Sequence, residues 1–524
     1  MFQILAADAI KEEGLQPLLQ MENAVVYRGE TYDQDIPLSQ IDALLVRSGT
    51  KVTAELLDRM PSLKIVARAG VGVDNIDIEA ATKRGVIVVN APDGNTISTA
   101  EHTFAMMVSL LRNIPQACAS VKNGEWKRNV FIGSELYGKT LSIVGMGRIG
   151  SELAKRARAF GMKVMVFDPF LTKERAENMG IDSGSLEEVL KNADIITVHT
   201  PLTKETRGLI NRDTLKLTKK GVYLLNCARG GIIDEEALEE FILNGHVGGA
   251  ALDVFVTEPP GEHPLLKLDQ VITTPHLGAS TREAQLNVAT QVAEAVRTYF
   301  EDKPVANSIN LPAMSREIYE KIRPFHQLAA KMGSIVSQCL QEGVNEISVT
   351  YSGTVAELEV SYLTKSLLSG FFKNCIDASV NEVNAVHIAK ELDIVVGEKI
   401  SSNSYGYANT VSVTVKGDHH FFTARGTYIE HYGPRIVNLD GFNIDFRPEG
   451  NLLYIQHMDR PGVIGRVGNV LGETGINIAT MQVGRKEVGG EAIMVLTFDR
   501  PLEGGILEKI REVGDIVSLN RIRL

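Results

Sequence analysis

An apolar run at 140–144, a Gly145-Met146-Gly147-Arg148-Ile149-Gly150 turn, and then apolar positions at Leu153, Ala154, Ala157 and Phe160 leave this chain few folds to choose from. The order is strand, Gly-x-Gly-x-x-Gly turn, helix, so the free N–H groups and dipole of a helix N-terminus face the turn and favour an anion such as a pyrophosphate. Further buried-looking runs at 163–167, 194–198, 221–225 and 248–252, separated by helical patterns, extend this into a doubly wound, Rossmann-type nucleotide domain. The second run closes on Phe167-Asp168, which places the Asp168 carboxylate to accept hydrogen bonds from an adenosine ribose and to repel a 2′-phosphate; NAD is therefore preferred to NADP.

An earlier set of runs at 2–6, 43–46, 64–67 and 86–89 predicts a separate flavodoxin-like parallel layer. Ser98-Thr99-Ala100-Glu101 has the spacing of a capping box and opens a helix that continues through Leu111. A helix over about 282–300 returns to the first layer, so the expected division is 1–97 with 284–308 for the substrate, 98–283 for the nucleotide, an α+β unit over 309–449, and a βαββαβ unit over 450–524.

With 54 basic and 65 acidic side chains, net charge −11, the chain suits neither nucleic acid nor an anionic membrane, and an anionic substrate needs a local basic pocket. Cys118, Cys227, Cys339 and Cys375 show no metal-ligand spacing, so no metal site is expected. Residues 1–8 lack the basic start and apolar stretch of a signal peptide and no apolar run reaches the length of a membrane span, so the expectation is a cytoplasmic enzyme.

Three residues stand in unusual contexts beyond the glycine turn: Arg229 in Asn226-Cys227-Ala228-Arg229-Gly230-Gly231, Glu258 before Pro259-Pro260, and His276 in Pro275-His276-Leu277-Gly278. Oxidising a secondary alcohol needs a base of near-neutral pKa at the hydroxyl, which suits His276. Glu258 can fix the imidazole tautomer, and Arg229 can grip a carboxylate while polarising the neighbouring oxygen. Alone, each also suits a bland role as structural imidazole, solvated carboxylate or surface cation; falling together at strand ends, they point to one site. Arg47 and Arg68, at strand ends of the first layer, can face the cleft and bind a substrate phosphate or carboxylate.

The chain resembles the D-isomer-specific 2-hydroxyacid dehydrogenases in these segments and in Arg68-Ala69-Gly70-Val71-Gly72-Val73-Asp74-Asn75, Asn90-Ala91-Pro92-Asp93-Gly94-Asn95 and Val198-His199-Thr200-Pro201-Leu202. The resemblance implies Arg229, Glu258 and His276 as the catalytic set. It implies cofactor contacts from Val71, Gly145, Gly147, Arg148, Ile149, Gly150, Asp168, Thr200, Cys227, Ala228, Arg229, Asp253, His276 and Gly278, and substrate contacts from Arg47, Arg68 and Asn95. The implied reaction is NAD-dependent oxidation of 3-phospho-D-glycerate to 3-phosphohydroxypyruvate, which opens serine synthesis. The last unit resembles an ACT domain, which pairs with its own copy; His457, Asp459 and Asn477 fall where such domains hold an amino acid, implying L-serine as effector and a homo-oligomer, a tetramer by family expectation. Two other readings stand beside this one: a relative acting on another 2-hydroxy acid such as glycerate, and an NAD-responsive binding protein akin to dehydrogenase-related corepressors.

Overall fold

Apolar side chains on both faces bury the strands of the first sheet in a computed structural model that describes residues 1–31, 35–312, 314, 316–340, 343–377 and 379–524. Strands β1 (Phe2–Ala6), β2 (Ala24–Arg28), β3 (Ala43–Val46), β4 (Ile65–Arg68) and β5 (Ile87–Asn90) pair in parallel in the order β2-β1-β3-β4-β5. The edge strand β2, only half-buried, is an addition to the expected runs. The helix Arg282–Phe300 packs back here, with Val288, Val292 and Val296 in one core with Ile4, Leu15 and Ile65. It crosses the helix Glu12–Leu19 so closely that a Cβ on Gly14 would lie 2.4 Å from the Ala289 methyl.

The second sheet contains β6 (Thr140–Val144), β7 (Lys163–Phe167), β8 (Asp182–Ser183), β9 (Ile195–Val198), β10 (Val222–Asn226), β11 (Val247–Leu252) and β12 (Val271–Thr273). All seven run parallel in the order β12-β11-β10-β9-β6-β7-β8, with the direction of winding reversing between β6 and β9. The short edge strands β8 and β12 extend the five runs expected. The nucleotide domain is thus inserted in the first unit and reached through the helix Thr96–Leu111. That helix begins before the expected capping box: Asn95 is its N-cap, and the Ser98 hydroxyl donates instead to the Gly278 carbonyl at 2.9 Å. Ser98 therefore lies inside the first turn, not before it, where its hydroxyl oxygen is not placed to accept from the helix-start amides.

The third unit is a six-stranded sheet, order β14-β13-β15-β16-β17-β18, made of β13 (Glu346–Gly353), β14 (Val395–Ser401), β15 (Asn409–Lys416), β16 (Phe421–Ile429), β17 (Gly433–Leu439) and β18 (Phe442–Phe446). The helices Arg316–Cys339 and Val360–Phe372 supply apolar side chains to its core. The fourth is antiparallel, order β20-β21-β19-β22, with β19 (Asn451–Met458), β20 (Ile478–Arg485), β21 (Glu491–Phe498) and β22 (Ile516–Arg523). Side-chain alternation divides its strands: Leu453, Ile455, Met494 and Leu496 face the unit's own helices, whereas Leu452, Tyr454, Ile493 and Val495 join the core of the third unit. Among the described residues no helix is long and apolar enough to cross a membrane.

Candidate active site

His276, Glu258 and Arg229 follow three neighbouring strands, β12, β11 and β10, at their carboxyl ends. His276 occupies the left-handed region, φ 54°, in a turn wrapped around Asp253. Its amide donates to the carbonyls of Asp253 and Thr274. The Asp253 carboxylate, 1% exposed, accepts from the Thr274 hydroxyl at 2.6 Å and from the amides of Leu277 and Gly278 at 2.7 and 2.9 Å. Burial pushes its pKa up, but the His102, Thr274 and Leu277 hydrogen bonds outweigh that and hold it below the usual carboxylate range. The strained turn is thus fixed by donors converging on one buried charge.

His276 Nδ1 lies 2.8 Å from Glu258 Oε2, and Glu258 Oε1 accepts from the Phe255 amide. A carboxylate can only accept, so Nδ1 carries the hydrogen and Nε2 is left as the working nitrogen. Gly230 ties the Arg229 segment to the same framework: a Cβ there would sit 2.0 Å from the Phe255 carbonyl oxygen. Asn226 braces that segment, its amide donating to the Arg229 carbonyl and accepting from the Ala228 amide.

The first sheet brings its own charges to this edge. Arg229 Nε donates to Asp74 at 3.1 Å, and Cβ atoms on Gly72 and Gly70 would fall 1.9 Å from Arg229 Nη2 and 1.7 Å from Arg68 Nη1. The two glycines are therefore slots for two guanidiniums from facing domains. Burial lowers the Arg68 pKa to about 10, and repulsion from Arg229 and Arg47 adds to the shift, so three cations converge and Arg68 stays charged at neutral pH. Arg47 stands over Asp8, whose carboxylate accepts from the Arg47 and Thr50 amides. Such a cluster suits an anion that makes several charge-assisted bonds.

The glycine turn fits a dinucleotide. Gly145 has φ 100° and sits where a Cβ would meet the His199 carbonyl at 2.6 Å; Gly150 lets the helix Arg148–Ala159 pack against the Gly145 carbonyl. Gly147, by contrast, has open space beside it and no side chain caps the helix start, so amides remain for a phosphate. Asp168 accepts from the Met146 amide at 2.7 Å and from Phe170 at 2.8 Å, keeping lone pairs toward a crevice of about 730 Å³ shared with Gly147 and Arg148. Arg148 pairs across the cleft with Asp93, and Ile149 is half-buried behind it. The Thr200 hydroxyl, the Asn95 amide oxygen and Arg68 Nε are buried without a described partner, as polar atoms awaiting a ligand would be. Val71 offers its carbonyl to Asn90, while Cys227 is buried with its thiol pushed up to about 12, so only its backbone suits a contact.

The three expected effector residues do not converge within one chain. His457 lies beside Ala492 at one end of the fourth sheet, and Asn477 precedes Ile478, which pairs with Phe498 at the other. At about 3.3 Å per residue the two ends are about 20 Å apart. His457 is 1% exposed, with Nδ1 donating to the Met458 carbonyl. Asp459 accepts from Arg485, and Asn477 donates to Asp499.

Sequence reasoning passed over Asp74, the guanidinium slots at Gly70 and Gly72, and His102. Asp74 and the glycines stand in a single motif, but Arg229, the partner of Asp74, is 155 residues away, and no local pattern carries that pairing.

Comparison with known proteins agrees with this layout. Residues 104–278 match the D-isomer specific 2-hydroxyacid dehydrogenase NAD binding domain, 321–440 the D-3-phosphoglycerate dehydrogenase intervening domain, and 452–515 the ACT domain. The chain is 61% identical to D-3-phosphoglycerate dehydrogenase of Bacillus subtilis over 524 residues, covering 100% of both chains. It is 45% identical to the protein of that name from Methanocaldococcus jannaschii over 526 residues, again covering 100% of each. D-lactate dehydrogenase from Aquifex aeolicus, solved with NAD and lactic acid, aligns with 59% of this chain and 99% of its own at 30% identity and a TM-score of 0.53. NAD-dependent formate dehydrogenase from Staphylococcus aureus, solved with NAD, aligns over 58% and 97% at 30% identity and a TM-score of 0.52.

Proposed function

This chain belongs to the D-3-phosphoglycerate dehydrogenases of the D-isomer-specific 2-hydroxyacid dehydrogenase family, and from that premise we propose how its residues divide the oxidation of 3-phospho-D-glycerate with NAD. His276 Nε2 takes the C2 hydroxyl proton, and the C2 hydrogen departs as hydride to the nicotinamide, leaving 3-phosphohydroxypyruvate, NADH and a proton. Glu258 holds the hydrogen on Nδ1 and stabilises the imidazolium as it forms. Arg229 binds the C1 carboxylate and polarises the C2 oxygen, and Arg68 with Arg47 receives the phosphate. Gly147 and the adjoining helix amides hold the pyrophosphate, and Asp168 the adenosine ribose.

The observation that carries this assignment is the 2.8 Å His276–Glu258 pair beside the arginine cluster. Replacing His276 with alanine should lower kcat by about 100-fold or more and leave NAD affinity within about two-fold, because the ring acts on the proton and not on binding. Parallel losses in kcat and NAD affinity would contradict the role.

The effector reading requires two copies: His457 and Asp459 from one ACT domain and Asn477 from another close around one L-serine, since the sheet keeps them apart in a single chain. Assembly is also supported by the arm after the helix Ile114–Lys122, where Trp126, Ile132 and Tyr137 are 78%, 80% and 79% exposed, an apolar surface that a second copy would cover. Light scattering should give a multimer, and calorimetry should detect serine binding that Asn477→Ala abolishes. A monomer, or heat-silent serine with unchanged activity, removes the reading.

A further inference from the structure

The helix Thr96–Leu111, which joins the two catalytic domains, holds the His276 turn at both ends. At the far end the Ser98 and Thr99 hydroxyls donate to the Gly278 carbonyl at 2.9 and 3.2 Å. At the near end His102 Nε2 lies 3.1 Å from Asp253 Oδ1 and 3.2 Å from the Thr274 hydroxyl oxygen. The direction of these bonds follows from the chemistry. Thr274 gives its proton to Asp253, and an ionised carboxylate has none, so the hydrogen between them and His102 must sit on Nε2. His102 is largely buried and Asp253 wholly so, and the imidazole N–H completes the donors that keep this charge in the interior.

We propose that His102 is a positioning residue for the dehydrogenation, acting through Asp253 to hold the His276 turn in register with the interdomain helix. The consequence is mechanical. His276 keeps its left-handed backbone only while Asp253 gathers the amides of Leu277 and Gly278, and His102 fixes Asp253 to the helix that joins the two domains. Removing the His102 donor leaves a buried carboxylate short of one bond, and the turn relaxes away from the position at which Nε2 meets the substrate hydroxyl.

The proposal rests on the dehydrogenase reading above, and its test keeps the two apart. Wild type, His102→Leu, His102→Asn and His102→Gln are assayed with 3-phospho-D-glycerate and NAD, together with NAD binding, melting temperature and the isotope effect from substrate deuterated at C2. Glutamine places an amide N–H near the position of Nε2–H, leucine has no donor, and asparagine is polar but ends short of Asp253. The leucine and asparagine variants should lose about 10-fold or more in kcat, keep NAD affinity within about two-fold and show a larger isotope effect, because chemistry becomes the slow step. Glutamine should restore kcat to within about three-fold of wild type. If the leucine variant does not fold, the asparagine variant carries the comparison. Wild-type turnover in the donor-less variants, a glutamine variant as slow as leucine, or NAD binding lost in step with kcat would overturn the proposal. An inactive wild type would instead remove the dehydrogenase reading itself.

Discussion

Gly72 has an ordinary backbone and no need of a glycine's conformational freedom; what it provides is room for the Arg229 guanidinium arriving from the other domain. An alanine there meets the flexible end of a side chain, so the fold should survive while Arg229 is pushed off Asp74. Gly72→Ala should therefore lower kcat/KM for the phosphorylated acid about 10-fold or more with a near wild-type melting temperature, since a displacement of about 1 Å is enough at a reacting centre. Unchanged kcat/KM would show that Arg229 does not need that slot. At this scale the sequence was informative about which residues gather at the cleft, as for His276 beside Pro275 or Arg229 before two glycines. It was silent where the role is a long-range contact. His102 looks like an interior helix residue, and nothing near it names Asp253 or Thr274.

Among elements, legibility followed burial. Strands β1, β3, β6 and β7 coincide with apolar runs read from the chain, because a strand covered on both faces must be apolar throughout. The strands outside the expected runs, β2, β8 and β12, are edges: β8 has two residues, and β2 is half-buried, so neither advertises itself by hydrophobicity. The Ser98 capping box misled for a physical reason. Its spacing is right, but the hydroxyl bonds to Gly278 and the helix starts earlier, at Thr96. With the helix starting at Thr96, the Ser98 hydroxyl is free to fasten the helix to the His276 turn through Gly278. The helix Arg282–Phe300 was readable in extent from its apolar spacing, whereas its tight crossing at Gly14 emerges only in three dimensions.

Across the whole molecule, a chain of net charge −11 gathers three arginines at the mouth of one cleft. The global field turns anions away and the local one draws them in, so specificity must come from direct contacts. The third and fourth units share apolar core through Leu452, Tyr454, Ile493 and Val495, which ties the ACT sheet to the neighbouring unit. The central claim is that this cleft oxidises a phosphorylated 2-hydroxy acid, and the most direct measurement is initial NADH formation from 3-phospho-D-glycerate and from D-glycerate, side by side at saturating NAD. The proposed charge-assisted bonds from Arg68 and Arg47 to the phosphate predict a preference of about 100-fold or more in kcat/KM for the phosphorylated acid. Equal rates with the two acids, or no NADH from either, would contradict the account.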